Sequence, residues 1–158
     1  MGATRHAVAA ASCMLAVLGA PLLGGCAEER EAVPAACLGT PASVLSALRA
    51  GPPIALADET RLSHCVSSAR TDGDLQSLGL LFVRVADTLR TQAGADPDAA
   101  FALGYLSGAV SRGAARSSGA IAAQLTRRVD QVAALDPGAS ASAEAALEQG
   151  RGAGRRAG

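Results

Sequence analysis

The sequence predicts an all-α protein, a small antiparallel bundle of three long helices with shorter helical pieces. Alanine accounts for 38 of the 158 residues, and the aromatic residues are Phe82, Phe101 and Tyr105 alone. Alanine favours helix most strongly, whereas strands are enriched in aromatic and β-branched residues. Three segments also carry apolar residues at helical spacing, and the short connections between them favour antiparallel neighbours.

Residues 1–25 have the composition of an export signal. Arg5 gives the start a positive charge, residues 7–23 form an apolar run, and acidic residues first appear at Glu28 and Glu29. A positive start, an apolar stretch and small residues ahead of a polar region are the features of a secretory signal peptide. We therefore expect residues 1–25 to be absent from the mature protein.

The junction that follows the apolar run reads Leu23-Gly24-Gly25-Cys26, and it resembles the lipobox of bacterial membrane lipoproteins. That motif is an aliphatic residue, two small residues and a cysteine. The resemblance implies that the Cys26 thiol receives a diacylglycerol and that the signal is cut just before this residue. It also implies that lipid holds the protein at the extracytoplasmic face of a bacterial membrane.

Two other interpretations of the amino-terminal segment stay open. Gly25 and Ala27 are small residues at a spacing that suits ordinary signal cleavage after Ala27. An uncleaved transmembrane anchor would be marginally long enough to span a bilayer, but Pro21 and the glycines argue against it.

The four cysteines predict one disulfide. Cys13 lies in the expected signal, and the lipobox resemblance assigns Cys26 to the lipid. Cys37 and Cys65 then remain, and thiols usually pair in the oxidising compartments outside the cytoplasm. We therefore expect a Cys37–Cys65 bond.

Residues 26–39 are expected to form the lipidated cysteine and a tether. The stretch after Cys26 is polar, acidic and contains a proline. Its ten residues up to Cys37 reach at most about 35 Å when fully extended, so the folded body stays close to the membrane.

A helical domain is expected over residues 40–149, beginning with a short helix at Thr40-Pro41. A hydroxyl N-cap followed by proline is a strong helix start, and the Gly-Pro-Pro at residues 51–53 ends the helix. Residues 54–62 predict an irregular crossing with a turn at 58–60, and a brief helix follows over residues 63–69.

Three longer helices are predicted over residues 74–92, from Asp96-Pro97 to about Ser117, and over residues 121–132. The first has the clearest amphipathic stripe, formed by Leu75, Leu78, Phe82, Val85 and Leu89. Residues 142–149 predict a last short helix. Residues 150–158 (GRGAGRRAG) contain only small and charged side chains, so we expect a disordered tail.

The composition and the candidate residues exclude several classes of function. The formal net charge is zero, which argues against a nucleic-acid partner. His64 is the one histidine beyond the expected signal, so we expect no metal site and no cofactor. A hydrolase that uses His64 with Ser63, or with paired carboxylates such as Asp58 and Glu59, remains an alternative.

Two further patterns suggest binding surfaces. Ala100, Gly104 and Gly108 share a helix face, which predicts either close packing of another helix or an apolar groove for a lipid or peptide. Arginines in two of the long helices predict either solvated charge or an anion-binding patch, with Arg151, Arg155 and Arg156 as added cations. The helix arginines are Arg112, Arg116, Arg127 and Arg128.

These observations together predict a non-catalytic, lipid-anchored helical module that binds a partner at the cell surface. The expected partners are the membrane, through the lipid, and an envelope protein, lipid headgroup or anionic envelope polymer. A hydrolase and a purely structural envelope protein are the alternatives. A binding module should present a groove or a charged patch, whereas an enzyme should present a pocket at His64 or at two converging carboxylates.

Overall fold

The computed structural model describes residues 32–117 and 119–158, whose regular elements are helices, and no strand occurs among them. The expected signal, the lipobox and Cys26 lie outside the described residues. The predicted all-α class is confirmed. The helices are α1 (Pro41–Arg49), α2 (Leu62–Ser68), α3 (Asp72–Ala93), α4 (Pro97–Ala114), α5 (Ala120–Val132) and α6 (Ala141–Ala157).

Polar side chains cap four of these helices, and the starts at Thr40 and Asp96 are as the sequence predicts. The hydroxyl of Thr40 accepts from the Ser43 amide at the start of α1, and Asp96 and Ser140 do the same for α4 and α6. At α3, the Thr71 hydroxyl accepts from the amide of Asp74, whose carboxylate accepts from the Thr71 amide in return. Each such cap satisfies amides that lack partners inside the helix.

Helix α4 is the central helix of the bundle. Twelve of its 18 residues are buried, including Leu103, Leu106 and Val110. It packs against α2, α3, α5 and α6. A helix can occupy such a central position when small or apolar residues cover most of its circumference, and α4 has few charged side chains.

Helices α3 and α5 run parallel to each other on one side of α4. Short connections make each of them antiparallel to α4. Three contacts between α3 and α5, or between the residues that follow them, share one register. The Arg90 guanidinium pairs with Asp136 at 3.3 Å, and the Ser140 amide donates to the Gly94 carbonyl at 3.1 Å. Gly79 faces the side chain of Leu125. These contacts all join residues 46 positions apart.

A disulfide joins Cys37 to Cys65, as the cysteine count predicts. Both residues are fully buried, and their Cα atoms lie 5.4 Å apart. By closing the loop between these two residues, the bond stabilises the fold by about 3.5 kcal/mol in the chain-entropy model. It holds a short 3₁₀ turn, Ala35–Leu38, against the bundle. The expected tether of residues 26–39 is therefore too long at its carboxyl end, because Cys37 already belongs to the core.

The expected disordered tail is wrong, because residues 150–157 continue α6. Gly150 and Gly154 are buried, and both face α4. The prediction weighed only the lack of large apolar side chains in this stretch. A helix without such side chains can still be stabilised when its backbone packs directly on a neighbouring helix.

Helices α4 and α6 run parallel and touch backbone to backbone along a glycine seam. The seam consists of five glycines with a four-residue spacing in each helix: Gly104, Gly108, Gly150, Gly154 and Gly158. A Cβ at Gly104 would overlap the Leu147 carbonyl oxygen and lie 2.9 Å from the Arg151 amide nitrogen. A Cβ at Gly150 would overlap the carbonyl of Phe101 in the same way.

This approach compensates for the poor helix propensity of the glycines. Each glycine costs a helix nearly 1 kcal/mol relative to alanine, and close backbones regain dispersion contacts and weak Cα–H···O bonds. The Arg112 guanidinium adds hydrogen bonds to the carbonyls of Arg155, at 3.1 Å, and Arg156. These carbonyls end α6, where a cation also stabilises the helix dipole.

We predict that Gly154→Ala lowers the free energy of unfolding by about 1–3 kcal/mol, because its Cβ would overlap the Tyr105 carbonyl. The control is Gly152→Ala in the same helix. Its Cβ would meet only the flexible end of Arg156, at 3.1 Å, so this change should stabilise the protein by up to about 1 kcal/mol. Urea denaturation measures both variants. Equal stabilisation by the two changes would contradict the seam.

Candidate functional site

An open groove runs between the parallel helices α3 and α5. Its volume is about 500 Å³, within the range of roughly 300–1,000 Å³ that is usual for small-molecule sites. The eleven lining residues are Leu75, Gln76, Gly79, Leu80, Val83, Ile121, Gln124, Leu125, Arg128, Gln131 and Val132. We call this feature the α3–α5 groove.

Aliphatic side chains form most of the surface of the α3–α5 groove. Leu125 is nearly buried, whereas Leu80 is 64% exposed, one of two large apolar side chains with such exposure among the described residues. Gly79 leaves room at the point where α3 faces Leu125, since a Cβ there would make an ordinary 3.5 Å contact. The groove is therefore a concave, mostly apolar surface, as ligand sites usually are.

The polar groups of the groove are one cation and three amides. Arg128 is the single charged residue among the eleven that line it, and Gln76, Gln124 and Gln131 supply the amides. An arginine guanidinium stays protonated at any physiological pH and presents donors that match a carboxylate or phosphate. No carboxylate among the lining residues opposes an anionic ligand.

The four helix arginines of the sequence analysis take different positions. Arg112 holds the end of α6 and lines a shallow depression with Arg116 and Arg155. Arg128 lines the α3–α5 groove, and Arg127 is exposed on α5 without lining that groove. The structure thus brings Arg112 and Arg116 together, and it places Arg128 with the apolar groove instead.

The added cations of the tail also lie on α6. Arg151 pairs with Glu148 at 2.7 Å on the surface of the helix. Arg155 and Arg156 are exposed, and their carbonyls accept the hydrogen bonds from Arg112. These residues therefore belong to the helix that the glycine seam holds.

His64 lines a second depression with Asp58, Glu59, Ser63 and Arg116. The hydroxyl of Ser63, which a serine hydrolase would need for attack, is buried and donates to the carbonyl of Gly158. Asp58 and Glu59 form the turn that the sequence predicts, with φ values of 54° and 56° in the left-handed region. Residues with side chains rarely adopt this region, so the turn carries local strain.

Neither a metal cluster nor a membrane-spanning helix occurs in the part of the chain that the structure describes. No three histidine, cysteine, aspartate or glutamate residues come together there as metal ligands would. None of the described helices is both long enough and apolar enough to cross a membrane.

Of the small-residue stripe at Ala100, Gly104 and Gly108, the two glycines are covered by α6. Of the two interpretations of that stripe, close packing is confirmed, and the apolar groove lies elsewhere. The α3–α5 groove was not predicted from the sequence. Its signal was present in Leu80 and Val83, which widen the apolar face of α3 beyond the residues needed for the core.

Comparisons with protein-family models, with curated proteins and with solved structures gave no match to this chain.

Proposed function

We propose that the protein is a lipid-anchored module at the extracytoplasmic face of a bacterial membrane and that it binds a ligand in the α3–α5 groove. The observation that carries this proposal is the groove itself, an open apolar surface with one cation among its lining residues. Mostly apolar clefts that hold a few polar groups are the usual form of small-molecule sites.

The location is supported by two features of the chain. Leu23-Gly24-Gly25-Cys26 follows an apolar run, as a lipobox does. The buried Cys37–Cys65 disulfide is typical of proteins that leave the cytoplasm, where thiols are kept reduced. A lipid on Cys26 would keep the groove near the bilayer, because at most about 35 Å of extended chain separate Cys26 from Cys37.

Binding has more support than catalysis. The His64 depression holds a histidine and two carboxylates, but the nearby Ser63 hydroxyl is directed to the Gly158 carbonyl. The hydrolase alternative would therefore depend on Asp58 and Glu59 with a water nucleophile. The α3–α5 groove combines apolar walls with a few polar groups, which is the usual composition of a ligand site.

We predict that Cys26→Ser prevents lipidation and normal maturation, because the hydroxyl cannot replace the thiol as the lipid acceptor. Cys13→Ser is the matched control, since Cys13 lies in the same amino-terminal segment but outside the lipobox. The intact mass of the purified protein distinguishes the outcomes. Wild-type protein that begins at Glu28 without lipid would contradict the anchor.

For the groove, we predict that an envelope extract slows amide hydrogen exchange in residues 75–83 and 121–132 of the wild-type protein. Gly79→Leu should abolish this protection, because its side chain fills the groove while its Cβ is tolerated. Gly94→Leu is the control, since a Cβ at Gly94 meets no atom within 4 Å. Protection that is absent, or that persists in Gly79→Leu, would contradict binding in the groove.

A further inference from the structure

The dimensions of the α3–α5 groove favour a small elongated ligand over a protein partner. Eleven residues line the groove, whereas a stable protein interface uses about 20–30 residues on each side. Along α5 the groove extends from Ile121 to Val132, which is about 16 Å at the rise of an α-helix. A narrow ligand can lie along this length between the two parallel helices.

The lining chemistry favours an unbranched aliphatic chain. The apolar residues of the groove are leucine, isoleucine and valine, together with Gly79, and no aromatic ring is among them. Aliphatic walls stabilise a chain through non-directional burial of its methylene groups. They provide no flat surface on which a sugar or a base would stack.

Arg128 is the single charged group of the groove, and the amides are spread along both walls, with Gln76 and Gln124 toward Ile121 and Gln131 beyond Arg128. Ile121 and Leu125 come first along α5, and Arg128 and Gln131 follow one and two turns later. The distance from Ile121 to Arg128 along the helix is about 10 Å. A ligand that is aliphatic along its length and anionic at one end can place its anion at Arg128 while its chain lies on the aliphatic walls.

From the aliphatic lining and the single cation we infer that the α3–α5 groove binds a fatty acid, with the acyl chain along the aliphatic walls and the carboxylate at Arg128. The inference rests on the proposed function, since it names the ligand class of the same groove. One guanidinium matches one carboxylate in a two-point hydrogen-bonded pair. A neutral diacylglycerol chain, including one on Cys26, would leave this cation without a counterpart.

A second copy of the chain is a weaker candidate for the occupant. In a two-fold symmetric dimer, each copy presents the same surface to the other. Pairing through the α3–α5 groove would therefore bring two Arg128 side chains to one interface, with no carboxylate among the lining residues to neutralise them.

The test uses the segment Glu31–Gly158, which is a compact unit with a hydrophobic core of its own. Isothermal titration without detergent compares laurate with lauryl alcohol, which has the same chain and no charge. We expect laurate to bind more tightly than the alcohol. Arg128→Gln should weaken the binding of laurate about three- to fivefold, as expected for the loss of a partly exposed ion pair. It should leave the affinity for lauryl alcohol unchanged. Arg127→Gln is the matched control and should change the affinity for neither probe.

Gly79→Leu should weaken both probes at least about tenfold, because burial of each methylene contributes up to about fourfold in affinity. Gly94→Leu should leave the affinities for both probes unchanged. Equal affinity for laurate and the alcohol, or no effect of Arg128→Gln, would overturn the inference. An acidic amphipathic peptide that binds in place of laurate would also overturn it.

The two proposals fail separately. If laurate does not bind but an envelope extract still protects the groove from exchange, the fatty-acid inference is wrong and the binding function stands. If neither laurate nor the extract affects the groove, both are wrong.

Discussion

Helices α4 and α6 approach each other more closely than side chains on both would allow, because a glycine lies on one side of each of these backbone contacts. Gly104 and Gly108 on α4 lie against the carbonyls of Leu147 and Arg151, and Gly150 and Gly154 lie against those of Phe101 and Tyr105. Interiors are close-packed, so a single added methyl group at the seam cannot be absorbed by small adjustments. The position of α6, and with it the burial of α4, depends on this contact.

The same arrangement leaves the α3–α5 groove open. Helix α6 packs on α4 and makes no comparable contact with α3 or α5 in the described residues. The two parallel helices therefore cover one side of α4, and the outer surface between them is left uncovered. Leu80 stays exposed there, and Leu125 forms part of the groove lining. A bundle in which α6 crossed this surface would have no such groove.

Local signals in the sequence were sufficient for much of this fold. The caps at Thr40 and Asp96 and the apolar stripe of α3 depend on residues close in sequence. The disulfide follows from the number of cysteines. The carboxyl-terminal half of α6 could not be predicted in this way, because Gly150 is stabilised by Phe101, 49 residues earlier in the chain. The groove was missed for a related reason. Leu80 and Val83 are the same residue types as those of the core, and their exposure depends on where the neighbouring helices pack.

Nuclear magnetic resonance of the segment Glu31–Gly158 tests the close α4–α6 contact most directly. We expect nuclear Overhauser cross-peaks from the Hα protons of Gly108 to the amide of Arg155, and from those of Gly154 to the amide of Ala109, because the structure places these groups in contact. We also expect helical chemical shifts through residue 157. Random-coil shifts over residues 150–157, without cross-peaks to α4, would contradict the account.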